Sequence, residues 1–274
     1  TYWPPQQRFG MPGFSQVLQS LADAWTDRRQ EVDEHAGKIG EALQQLARGT
    51  KNVSRDDELS AHVIDTAVER LLESVDRTDG GFGSAPKFPH VTDLELLLQL
   101  GATREESAWI DAAEFSLDRM AAGGIRDHIG GGFARYSVDA KWLVPHFEKM
   151  LYDNALLAEA YLHANQVTGH ERHATVAREI LEYLVREMTD RDGGFHCSED
   201  ADSEGVEGKY YVWTPAQVSE VLGSERSQLF CNVYDITEPG NFEGSNIPNL
   251  PVSIVNWADE LSMSIEELSA QLAE

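Results

Sequence analysis

The feature that most constrains this chain is a short repeat. A double glycine followed by phenylalanine occurs at residues 80–82, 131–133 and 193–195, with 51 and 62 residues between the second glycines. The stretches around these loops carry apolar residues at i, i+3, i+4 and i+7, the mark of a helix with one buried face. Such stripes run through 57–77 (Leu59, Val63, Ile64, Val68, Leu71, Leu72, Val75), 92–100, 104–121, 146–166 and 170–189. An N-terminal stretch, 13–47, and a last one, 265–272, read the same way. Each gap between repeats holds two helices and a loop, and a period of this size indicates an array of helical hairpins. Glycine closes a helix in the left-handed conformation without steric cost, so each loop reads as a sharp turn with its phenylalanine plugged into the core. The expected fold class is mostly α. Only 210–213 and 132–136 read as strands, and the polar stretch 48–57 reads as a linker.

Charge narrows the function. The 47 acidic residues outnumber the 22 basic ones, for a net charge of −25. That argues against a nucleic-acid or anionic-membrane surface, which needs clustered Lys and Arg. No apolar run approaches the length of a membrane-spanning helix. Cys197 and Cys231 form neither a CxxC pair nor a disulfide framework. A reduced compartment follows, with a cytoplasmic location and neither metal nor cofactor expected. The opening TYWPPQQRFG is neither a signal nor a targeting segment and lacks an initiating Met, so the chain reads as a fragment or a processed product.

Chemistry-bearing residues concentrate in 123–154, which holds Arg126, Asp127, His128, Arg135, Tyr136, Trp142, His146, Glu148, Lys149, Tyr152 and Asp153. Acids, bases and aromatic rings between two amphipathic helices are what a polar-ligand site needs. Pro145 suits a first helical turn, which puts His146 at a helix N-terminus on one face with Lys149 and Asp153. An imidazole can serve as general acid or base there, or act as a local cap. Asp127 and His128 are either a second acid–imidazole site or a loop pair held by Arg126 or Arg135. The acidic loop 197–208, with Asp200 and Asp202, does not have EF-hand spacing. It reads as a solvated loop or as a source of catalytic carboxylates. Lys87 lies in a loop stiffened by Pro86 and Pro89, spanning two helices or presented to a pocket.

Four stretches, GGFGSAPKFPH, GGIRDHIGGGFARYSVDAKWLVPHFEKMLYDN, EDADSEGVEGKYYVW and NFEGSNIPNL, resemble the thioredoxin-domain-containing family of spermatogenesis-associated protein 20 and its bacterial relatives. The resemblance implies a thioredoxin-like domain followed by a six-hairpin (α/α) toroid, similar to sugar epimerases and several glycosidases. Residues 1–48 would be the tail of the first domain, without its cysteine motif. Residues 49–274 would be a partial toroid of about three hairpins. An incomplete toroid is expected to self-associate or to belong to a longer chain. The implied function is acid–base chemistry on a small carbohydrate. His146 and His128 serve an epimerase-like reading, and Asp127, Glu148, Asp200 and Asp202 a glycosidase-like one. Arg126, Arg135, Tyr136, Trp142, Lys149, Tyr152, Asp153 and Lys87 would hold the substrate. The alternative is a non-catalytic binding or redox-adaptor module.

Overall fold

A computed structural model describes residues 3–7, 10–49 and 61–273. The chain divides into two compact units, 1–63 and 64–274. In the first, the apolar stripe of 13–47 becomes two helices, α1 (Phe14–Asp27) and α2 (Arg29–Gly49), because Arg28 leaves helical geometry at φ −130° and ψ 39°. The linker expected at 48–57 lies almost wholly outside the described residues, as do Leu59 and the start of the 57–77 stripe.

The second unit is built of helical hairpins, as the periodicity leads one to expect. The helix α3 (Ala61–Ser74) runs into it, followed by α4 (Val91–Arg104) and α5 (Ser107–Ala122), then α6 (Leu151–Thr168) and α7 (Glu171–Arg186). Helices α4 and α5 pack on each other, as do α6 and α7, and α4 also packs on α6. Their inner faces bury Leu94, Leu97, Leu117, Met120, Leu157 and Tyr161, each completely. Burial of a side chain of this size stabilises by about 1.5–3 kcal/mol. Beyond them lie α8 (Pro215–Val233), broken at Gly223, then α9 (Ile254–Leu261) and α10 (Ile265–Ala273). Helix α8 starts on a Thr214–Gln217 capping box, a start signal the apolar pattern alone does not reveal.

The three glycine loops share one construction. An aspartate follows each of α3, α5 and α7: Asp76, Asp127 and Asp190. Its Oδ1 accepts backbone N–H groups inside the turn, from Thr78 and Asp79, from Ile129 and Gly130, and from Asp192 and Gly194. Its own N–H donates to the second glycine of the repeat, at 2.8–3.0 Å in all three copies. The phenylalanine then pairs back as an isolated bridge: Val75 with Phe82, Arg126 with Phe133, Thr189 with Phe195. The glycines are needed for more than φ. A Cβ on Gly132, at φ +76°, would stand 2.5 Å from Tyr183 Cδ1.

Three expectations fail here. Residues 146–150 are not helical, and α6 starts only at Leu151. The His146 N–H donates to Tyr136 O, and Lys149–Met150 (β1) pairs antiparallel with Ser198–Glu199 (β2). These long-range backbone partners hold the segment extended. The strand expected at 210–213 is a turn ending in one bridge, Trp213 to Asn246; the second short ladder is β3 (Asp202–Ser203) against β4 (Val206–Glu207). The stretch 132–136 contributes only the Phe133 bridge.

Candidate functional site

The extended course of 145–149 sends alternate side chains to opposite sides. Pro145, Phe147 and Lys149 are buried, while His146 and Glu148 are half-buried on the other side. The helical face assigned to His146, Lys149 and Asp153 therefore does not exist. The acidic loop packs directly on this segment through the β1–β2 pair and through Ala201 beside Phe147. The two polar blocks of the sequence thus meet, and they form two separate groups.

The inner group is a closed charge network. Lys149 Nζ, almost fully buried, donates to Asp127 Oδ2 at 2.8 Å and to Gly131 O at 2.9 Å. Its ammonium also lies 4.5 Å and 4.9 Å from the ring centres of Tyr183 and Tyr211. Both tyrosines donate to Glu199, at 2.7 Å and 3.1 Å, and burial, followed by that carboxylate, drives their pKa upward. Burial pushes the Asp127 carboxyl up, but Lys149 and the turn N–H groups outweigh it and hold the pKa low. His128 faces Gly123 O at 3.0 Å; burial, and then the adjacent Arg126, pull its pKa down to about 3. It is a neutral donor at pH 7, not a base. The concavity lined by Asp127, His128, Phe147, Lys149 and Tyr211 has a free volume of about 20 Å³. That is room for about one water molecule.

Lys87 repeats the lysine motif at the first loop. Fully buried, it donates to Asp76 Oδ2 at 2.5 Å and to Gly80 O at 2.8 Å. It spans no pocket. Trp142 is likewise completely buried, with its indole N–H on Asp79 O at 2.9 Å, so it offers no face to a ligand. Arg126 ties the end of α5 to α7 through Ala121 O and Glu179.

The outer group is open. His146 Nδ1 lies 2.7 Å from Glu207 Oε1. Its ring stacks on Tyr136 at 5.0 Å, and Tyr136 stacks on the exposed Phe88 at 4.8 Å. Arg135 donates to Glu148 Oε2 at 3.2 Å and interacts with the exposed Tyr152. Asp153 belongs to the same patch. Burial raises its pKa to about 6, with Arg135 opposing and Glu148 adding to the rise, and its buried Oδ2 has no partner among the described residues. With Nδ1 held by the carboxylate, Nε2 of His146 is the nitrogen left to take or give a proton. Glu207 stands 61 residues from His146, so local spacing carries no sign of the pair. Asp200 and Asp202 are exposed and point to neither group's hydrogen bonds, apart from Asp200 closing its own turn onto the Asp202 N–H.

One set of described residues has the donors for a metal ion: Glu114, His170 and His173, with ligand atoms within 4.8 Å of one another. Arg172 already pairs with Glu114 and Asp118 there, and His173 with Asp118. The His170-x-x-His173 spacing at the start of a helix is the signal the sequence reading passed over.

No family model matches the chain. It is 40% identical over 270 residues to spermatogenesis-associated protein 20 of Homo sapiens, covering 90% of this chain and 34% of that protein. The mouse counterpart is 39% identical, covering 91% of this chain and 34% of that protein, and an uncharacterised protein of Caenorhabditis elegans is 34% identical over 268 residues, covering 91% of this chain and 36% of that one. The chain thus spans about a third of the length of the curated relatives it matches. Among solved structures, a sugar epimerase from a ruminal bacterium superposes with a TM-score of 0.45 at 16% identity, over 75% of this chain and 65% of that one. Cellobiose 2-epimerase from Spirochaeta thermophila gives 0.43 at 21% identity, over 52% and 42%.

Proposed function

We propose that residues 49–274 are part of an (α/α) toroid that carries out acid–base chemistry on a small carbohydrate, as an epimerase or isomerase. Residues 1–48 we read as the tail of a preceding thioredoxin-like domain. The observation that carries the enzyme reading is the His146–Glu207 pair, 2.7 Å apart beside the open Tyr136–Phe88 stack. An imidazole oriented by a carboxylate can carry a proton in abstraction next to a carbonyl. Aromatic faces supply the stacking surface that a sugar ring takes. Asp153, with a pKa near 6, is a second group able to change protonation near neutral pH. Arg135, Glu148 and Tyr152 supply hydrogen-bond partners for hydroxyl groups. Asp127, Lys149 and Lys87 belong to loop anchoring in this reading, and His128, Arg126 and Trp142 to packing.

The test is proton exchange. The protein is incubated in D₂O with a panel of reducing hexoses and disaccharides, and loss of the proton next to the carbonyl is followed by NMR. Exchange is expected with at least one sugar and is expected to fall at least a hundredfold in His146→Ala, in line with the usual contribution of a general base. The reading is abandoned if no sugar exchanges, or if His146→Ala exchanges as fast as wild type. A non-catalytic binding module is the second reading. The inner group favours it, since its lysine and carboxylates already have partners within the group and leave no free acid or base there among the described residues. Thermal stabilisation by a sugar without any exchange is its signature.

A further inference from the structure

The three Gly-Gly-Phe turns are alike in backbone but not in what covers them. The first lies on α5: a Cβ on Gly80 would meet Ser116 and Arg119, Ser116 Oγ accepts from Gly81 N at 2.9 Å, and Arg119 donates to Asp79 Oδ1 at 3.2 Å. The second lies on α7: Gly131 faces Tyr183 and Glu179, and Arg186 donates to Gly130 O. Asp79 and Gly130 hold the same place, immediately before the double glycine. In both copies, therefore, an arginine in the last turn of the second helix of the next hairpin reaches one fixed position of the turn. The plugs register the cover: Phe82 is 7% exposed and Phe133 is 0%.

The third turn has the same hydrogen bonds and no cover. Phe195 is 58% exposed, and nothing lies within 4 Å of a Cβ placed on Gly193. Asp192 stands where Asp79 takes Arg119, and its carboxylate has no partner among the described residues. Asp190 likewise lacks the lysine that Asp76 and Asp127 each receive at Oδ2. The built turn, the exposed plug and the unpaired acid are all complementary to what α5 brings to the first copy.

We propose that the turn at 190–195 is a docking surface for one more helix of this repeat, an amphipathic helix whose last turn carries an arginine that pairs with Asp192. The helix lays a small or apolar residue over Gly193 and Gly194 and covers Phe195. Two filled copies in the same chain define the interface, and the acidic third copy adds charge complementarity. The curated relatives, of which this chain spans about a third, are long enough to contain such a helix.

The probe is a synthetic peptide of the α5 sequence, Ser107–Ala122, added to the ¹⁵N-labelled protein. Saturable shifts of the Asp192, Gly193 and Gly194 amides are expected. Affinity is expected to fall at least tenfold when the peptide carries Arg119→Ala, or when the protein carries Asp192→Asn, a surface change that leaves the fold intact. The proposal is overturned if those amides do not move, or if the Arg119→Ala peptide binds equally well. A dimer by light scattering that Asp192→Asn dissociates would make a second copy the occupant, and would overturn it too.

Discussion

At the scale of single residues, two lysines that read as ligand-binding groups hold turns together. Lys87 and Lys149 are each buried against one aspartate and one glycine carbonyl. Removing one partner of a buried pair leaves the other charge without compensation, at a cost of about 3–5 kcal/mol. Lys149→Ala and Lys87→Ala should each lose about that much in urea unfolding, and neither should be rescued by added sugar. Asp153 behaves in the opposite sense. Its carboxyl is raised to about 6 from an ordinary value of 3.8, so between those pH values the folded chain binds more protons than the unfolded one. Its contribution to stability therefore falls as pH rises from about 4 to 6. Asp153→Asn should flatten that slope in unfolding measured across pH 4–7, and an unchanged slope would contradict the assignment. These roles escape sequence reading because a lysine in a polar loop looks the same whether its ammonium meets solvent or a buried aspartate.

At the scale of elements, the three glycine turns form a natural comparison. Gly132 needs φ +76° and has Tyr183 against it, whereas Gly193 needs φ +82° and has open space. An alanine at Gly193 meets only backbone strain, about 1–2 kcal/mol. An alanine at Gly132 meets that strain and a collision with a buried ring as well. Gly132→Ala should therefore lower the melting temperature clearly more than Gly193→Ala, as differential scanning calorimetry would show. Equal effects would mean that the covered and uncovered turns do not differ in packing. The turns themselves were legible, because a left-handed glycine after an amphipathic stripe is a local signal, but the expected plug holds only for Phe82 and Phe133, since Phe195 is 58% exposed with no described residue packed over its turn. The helix expected to begin at Pro145 was not. Residues 146–150 take their backbone partners from Arg135, Tyr136, Ser198 and Glu199, and those non-local pairings override the proline's preference.

At the scale of the whole molecule, charge and topology set behaviour. A net charge of −25 repels itself in any compact form, while exposed ion pairs such as Arg29–Asp33 and Lys209–Glu204 contribute only about 0–1 kcal/mol each. Screening should win. Raising ionic strength from about 0.01 to 0.15 M, which shortens the Debye length from about 30 to 8 Å, should raise the melting temperature. A fall would show that the ion pairs dominate. The sequence by itself determined the helices α3 to α7, their pairing into hairpins and the three glycine turns, though not α8 or α9, because periodicity and left-handed glycine are properties of neighbouring residues. Only the tertiary structure decided which polar residues face outward with His146 and which are locked inward with Lys149. It also decided that His146 takes Glu207, 61 residues away, as its partner, and that the third turn lies uncovered. Each of those outcomes rests on contacts between segments far apart in the chain, and spacing along a sequence does not encode them.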